Sequence, residues 1–141
     1  MLPPDYAARL IADMPDAVVY ADASGTIQAW NRGAERIFGY SEAEAIGQTL
    51  DIIIPVNLRQ RHWDGFHKTM ETGHTRYHEG QTLSVPALRR DGSRISVDFT
   101  IVPFTDDAGR LTGIAAVMRD VTKTFDELRS LRREVASLRG S

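Results

Sequence analysis

Four histidines, His62, His67, His74 and His78, crowd the middle of a 141-residue chain that contains no cysteine. Imidazole can ligate a transition metal, pass a proton near neutrality and change charge in that range, so these positions carry the richest chemistry in the sequence. Their spacing limits it. His62 and His67 stand five positions apart, on different faces of a helix, rather than the three or four that let two side chains share one metal, which disfavours a shared zinc or iron site. The lack of cysteine removes disulfides, thiolate metal centres, cysteine nucleophiles and cysteinyl-flavin photochemistry together. No nucleophile with a paired base, no phosphate-cradling glycine loop and no kinase histidine motif is visible, and Asp13, Asp16 and Asp22 read as surface or turn carboxylates. An enzyme is not expected. His62 remains as the side chain whose surroundings must be established.

The elements that would position it follow from periodicity. Asp5 to Asp13 reads as a short helix with Tyr6, Leu10 and Ile11 spaced to dock one face, ended by Pro15. Val18, Val19 and Tyr20, then Ile27, Ala29 and Trp30, flank a Ser24-Gly25 turn and predict an antiparallel hairpin. Asn31 caps a helix with Ala34, Ile37 and Phe38 inward and Gly39 at its end. Ser41 and Glu44 then have the spacing of a capping box before Gly47. Pro55 precedes a longer helix, Val56 to Thr72, in which Leu58, His62, Phe66 and Thr69 or Met70 return every three or four residues and Gly73 terminates; this places His62 on the inward face.

Three strands complete the domain: Gly80 to Arg89, Arg94 to Phe104 and Arg110 to Arg119, joined at Asp91-Gly92 and at Asp106 to Gly109. Ile95, Val97, Phe99 and Ile101 alternate with Arg94, Ser96, Asp98 and Thr100, the period of a sheet with one buried face. The inward side chains, with Leu58, Phe66, Leu83 and Met118, would form an apolar box, either a binding site or ordinary core. From Thr124 to Leu138 an amphipathic helix carries Phe125, Leu128, Leu131, Val135 and Leu138 on one stripe, too short for a stable coiled coil alone and open to parallel or antiparallel pairing.

Hydrophobic residues make up 42% and charged residues 26%, the balance of a soluble globular domain, and a net charge of −2 gives no footprint for nucleic acid. The longest apolar runs, Ile52 to Ile54 and Ile114 to Met118, are far too short to cross a bilayer, and no export signal opens the chain, so a cytoplasmic location with no membrane partner is expected.

Over about 120 residues the sequence resembles a PAS sensory domain. The marks fall in order: PDAVVYADASGTIQAWNRGAERIFGYSEAEAIGQ, IIP, RRDGSRISVDFTIVPF, and GIAAVMRDVTK with an Asp-x-Thr at Asp120 and Thr122. The resemblance implies an α+β fold with a five-stranded antiparallel sheet in order 2-1-5-4-3. Short helices would cover one face, with a cap over residues 1–14, the sensory domain over 15–122 and a signalling helix over 123–141. Asp120 and Thr122 would pin the sheet to that helix, or serve simply as its N-cap.

IIPVNLRQRHWDGF is similar to the LIPxxLRxxH stretch of haem-binding, oxygen-sensing PAS domains, which puts His62 in the place of the iron ligand. Haem b would then meet Lys68, His74 and Arg76 at its propionates and Gln81, Leu83, Phe99 and Ile101 on its distal side. The distal arginine of those sensors is missing, since GQTLSVPAL offers no arginine before Arg89. A partly buried, hydrogen-bonded His62 is the other reading. The function implied is a sensory module that passes ligand state to an output domain outside this chain, a kinase, cyclase or transcription factor; a ligand-free dimerisation module is the alternative. A homodimer is expected in either case.

Overall fold

A computed structural model describes residues 1–73 and 82–140. Its elements are α1 (Tyr6–Asp13), β1 (Ala17–Asp22), β2 (Ile27–Trp30), α2 (Arg32–Phe38), α3 (Glu42–Ala45), two 3₁₀ turns (Leu50–Ile53 and Val56–Leu58), α4 (Arg59–Thr72), β3 (Leu83–Leu88), β4 (Arg94–Thr105), β5 (Leu111–Asp120) and α5 (Thr122–Arg139). All strand pairings are antiparallel and the order is β2-β1-β5-β4-β3.

The register explains the core. β5 lies between β1 and β4, with Ala17 and Phe99 opposite Met118 and with Val19 and Ile101 opposite Ala116, so one face of three strands carries a continuous apolar row. Against it pack Trp30 from the end of β2 and Ala34, Phe38, Ala45 and Ile53 from the helices and turns between β2 and α4. Phe38, Ile27, Val19 and Val97 are the largest side chains wholly removed from water, each worth about 1.5–3 kcal/mol.

Local chemistry sets the element ends. The Asn31 side chain accepts from Ala34 N at 2.9 Å and starts α2, and Gly39 closes it in a left-handed conformation. Ser41 and Glu44 form a reciprocal capping box on α3. The Asp22 carboxylate organises the β1–β2 turn by accepting from Ser24 N, Ser24 Oγ, Thr26 N and Gln28 Nε2. The Ser24 hydroxyl leads those bonds in holding its pKa below the usual carboxylate value. Asp16 and Asp13 likewise pair with Arg119 and Arg32.

Two expectations need correction. Tyr6, Leu10 and Ile11 do not dock on this domain: they are 45%, 48% and 49% exposed. α1 is held by its C-terminal end instead, where Asn31 Nδ2 donates to Ile11 O at 2.8 Å. An apolar stripe shows that a face wants cover, not that the same chain covers it. The long helix also begins later than its sequence suggests, because Val56–Leu58 is a 3₁₀ turn and regular α geometry starts at Arg59.

Candidate functional site

The site begins with how α4 is fixed. Arg59 at its first turn donates from Nε to Ile54 O and from Nη2 to Asp51 O, both at 3.1 Å, and so ties the helix start to the 3₁₀ turn before it. One turn on, Trp63 Nε1 donates to Asp51 Oδ1 at 2.6 Å. The Trp63 ring lies over the β1–β2 turn at Gly25, where φ is +84° and a Cβ would sit 2.2 Å from ring carbon Cζ3. Glycine is required there twice over, by conformation and by space. A tryptophan, an aspartate and a glycine thus lock the N-terminal half of α4 to the opposite end of the domain.

His62 stands beside this lock. Its ring meets Trp63 edge-on at 4.8 Å and lies 6.0 Å from the Phe66 ring. Nδ1 is buried and has no hydrogen-bond partner among the described residues, although an unpaired buried nitrogen costs about 1–3 kcal/mol. Burial is the main force lowering the His62 pKa, the Asp51 charge opposes it and His67 adds to it, so the ring is neutral at neutral pH. A neutral imidazole with an unused nitrogen is the form that binds a metal or hydrogen-bonds a polar ligand atom.

Phe66, one turn on from His62 along α4, and Met118 on β5 are buried, at 8% and 6% exposure, while Leu58, Leu83, Phe99 and Ile101 are half-buried. Val85, on the same row as Leu83 and Ala87 and opposite Val97, is 38% exposed. The side chains expected to form the box are thus buried at Phe66 and Met118 and more exposed toward Val85 on β3. Lys68 is exposed on α4. His74, Arg76 and Gln81, and His78 with them, lie outside the described residues.

At the far end of the sheet Asp120 and Thr122 form a compact tie. Asp120 Oδ1 accepts from Thr122 N at 3.0 Å and from Thr122 Oγ1 at 2.6 Å. Thr122 Oγ1 in turn accepts from Ser96 N at 2.9 Å, while Val121 N donates to Ser96 O at 2.9 Å. The β4–β5 ladder ends with Val97 opposite Asp120, so the threonine hydroxyl supplies one further rung. The N-cap position itself belongs to Val121, whose side chain makes no cap bond. Beyond it Phe125, Leu128, Leu131, Val135 and Leu138 are all exposed.

Sequence reasoning missed Asp51, Arg59 and Trp63. Gly25 was the available signal, legible as a turn residue but not as the seat of a ring from a distant helix.

A five-stranded antiparallel sheet with helices on one face and an exit helix tied to the sheet end defines a sensory-type α+β domain. The family model described as the PAS fold matches residues 6–121, and the chain belongs to that family. Sensor protein FixL of Bradyrhizobium diazoefficiens is 36% identical over 92 residues, 65% of this chain and 18% of the relative. Oxygen sensor protein DosP of Escherichia coli is 30% identical over 83 residues, 59% of this chain and 10% of the relative. This chain therefore spans less than a fifth of either curated relative. Among solved structures, a PAS domain from Colwellia psychrerythraea matches with a TM-score of 0.71 at 26% identity, covering 83% of this chain and 95% of that one. Among the described residues no helix is long and apolar enough to cross a membrane.

Proposed function

We propose that this chain is the input module of a signalling protein, holding a small ligand between α4 and the sheet and passing its state to α5. The observation that carries the reading is the buried Nδ1 of a neutral His62, unpartnered among the described residues and beside the buried Phe66 ring. A buried polar atom left unpaired at an energetic cost calls for a partner, and a ligand held beside His62 would supply one.

Haem b fits this donor set best. When bound it supplies an iron that takes a diatomic gas or changes redox state. His62 provides the neutral imidazole, and Trp63 and Asp51 fix the helix that carries it. Phe66, Leu83, Phe99, Ile101 and Met118 supply the apolar walls, and Lys68, with His74 and Arg76 by sequence position, supplies cations for the two propionates. By sequence position Gln81 is the polar candidate for the distal side. No arginine lies between it and Arg89, so this segment would offer a ligand a neutral rather than a charge-assisted hydrogen bond. The kinship with a protein named as an oxygen sensor supports this reading.

The output half of the proposal assigns Asp120 and Thr122 to the relay. Their bonds join the sheet end to the first turn of α5, so a shift of β4 or β5 under the ligand redirects the helix. The exposed stripes of α1 and α5 favour a homodimer, and an output domain or partner protein receives the signal. One observation favours a second reading, a ligand-free interaction module: Val102 and Phe104 on the outer sheet face are exposed along with those helices.

The test is the absorption spectrum of the chain purified after expression with excess haem, beside His62→Ala. A sharp Soret band that shifts on reduction and with carbon monoxide, and disappears in the variant, is the expected result. No such band in the wild type would remove haem and leave an organic ligand or the interaction module.

A further inference from the structure

His62 Nδ1 is buried, so no ligand meets it until something around it moves. The helix that carries it is not held equally along its length. Its first half is anchored by Arg59 on the carbonyls of Asp51 and Ile54, by Trp63 Nε1 on the Asp51 carboxylate, and by the Trp63 ring on Gly25. Beyond Gly65 the hold is narrow. Among the described residues Phe66 is the only buried one in α4, while His67, Lys68, Glu71 and Thr72 are exposed.

Gly65 stands at the joint between the two halves. It lies inside the helix, is exposed, and an added Cβ would meet nothing within 4 Å. Gly33 and Gly113 differ, since Asp16 O and the Tyr20 hydroxyl stand 2.1 Å and 2.3 Å from where their Cβ atoms would be. Gly25, Gly39 and Gly73 differ too, because each holds a positive φ. Neither space nor backbone conformation asks for glycine at position 65. What it does there is weaken the helix, by widening the backbone conformations open to the residue and giving up propensity relative to alanine.

We propose that α4 hinges at Gly65: Arg59–Trp63 stay fixed while Phe66–Thr72 swing off the sheet and carry the Phe66 ring out of its buried place beside His62. The two ring centres lie 6.0 Å apart, so withdrawing Phe66 uncovers the imidazole. The purpose of the motion, a way in for a ligand, rests on the reading of His62 given under the proposed function; the motion itself needs no ligand.

A hinge at this place breaks a definite set of bonds. By helix geometry the amides of Phe66, His67, Lys68 and Thr69 donate back to the carbonyls of His62, Trp63, Asp64 and Gly65. The Trp63 amide donates to Arg59 within the anchored half, and Gly73 N donates to Thr69 O at 2.9 Å within the swinging one.

Hydrogen exchange of the full chain without added ligand, read by NMR, tests this. The amides of Phe66 to Thr69 are expected to exchange together and faster than that of Trp63. Low urea, which speeds exchange through global unfolding, should leave them nearly unchanged, because the swing of a short segment exposes little surface. Gly65→Ala is expected to slow them about fivefold, the roughly 1 kcal/mol propensity gap between glycine and alanine, and to leave Trp63 as it was. A second readout uses Phe66→Cys, which places a single thiol in a chain with no other. Its labelling by a water-soluble disulfide reagent should slow by a similar factor when Gly65→Ala is added. The proposal is overturned by spanning amides no faster than Trp63, by their steep acceleration in low urea, by equal slowing throughout α4 in Gly65→Ala, or by thiol labelling indifferent to that change. A missing Soret band would remove haem without altering these rates, and a failure of the hinge would leave the Soret band as it is.

Discussion

Thr122→Val removes one oxygen from the tie between sheet and exit helix and keeps the side-chain shape. Two hydrogen bonds disappear, from Ser96 N at 2.9 Å and to Asp120 Oδ1 at 2.6 Å. The second lies at the surface, where water replaces it at little cost. The first leaves the amide of a half-buried strand residue without its acceptor, at about 1–2 kcal/mol. Valine and threonine have nearly equal helix propensity, so α5 itself is not weakened. The expected loss is therefore local, about 1.5 kcal/mol, which corresponds to roughly tenfold faster exchange of the Ser96 amide and of the first amides of α5. Hydrogen exchange read by NMR measures this directly, with Thr122→Ser as the variant that keeps the hydroxyl and should retain protection. Unchanged protection at Ser96 in Thr122→Val, or equal loss in both variants, would refute the claim that this hydroxyl couples the elements.

Other consequences follow from the same contacts. His62 has a lowered pKa in the folded state, so the unfolded chain binds its proton more readily. Stability should fall as pH drops from about 6.5 through the lowered folded value, and urea midpoints at several pH values should lose that component in His62→Leu; parallel profiles for the two proteins would contradict it. Gly25→Ala forces a left-handed alanine into the Trp63 ring and should cost about 2–3 kcal/mol in urea unfolding. Trp63→Ala in the same chain should make the alanine distinctly cheaper, and strict additivity of the two changes would show that they do not touch. Asn31 is 7% exposed and makes four bonds, accepting from Val18 N and Ala34 N and donating to Ile11 O and Asp16 O. Asn31→Ala should cost about 3–4 kcal/mol by equilibrium unfolding and loosen α1; a loss under 1 kcal/mol would mean that its role ends at capping α2.

Much of the fold is written locally. Asn31, Ser41 and Gly39 act through neighbours three or four positions away, and Ile95 to Ile101 alternate on a strand whose partners lie on both sides, so periodicity and cap chemistry suffice to find these elements. What escaped is non-local. Nothing near Trp63 in the sequence signals that its ring rests on Gly25, or that Asp51 receives its N–H. Asn31 is legible as a cap, but its amide nitrogen also reaches back to α1, and only the folded chain brings Ile11 O within 2.8 Å. The His62 face of α4 followed from helical spacing; the exposure of Val85 did not, because a strand pattern fixes which face a residue takes and not whether another element covers it.

The most direct test of ligand binding at His62 uses the ring beside it. Trp63 lies 4.8 Å from the His62 ring, well within the range where haem quenches tryptophan emission, whereas Trp30 belongs to the core under α2. Adding haem to the purified chain should quench fluorescence steeply to an endpoint at one equivalent, and His62→Ala should lose the tight phase and the endpoint with it. A wild-type titration that shows no stoichiometric endpoint, or one that the variant reproduces, would contradict the assignment of His62 as the group that holds the ligand.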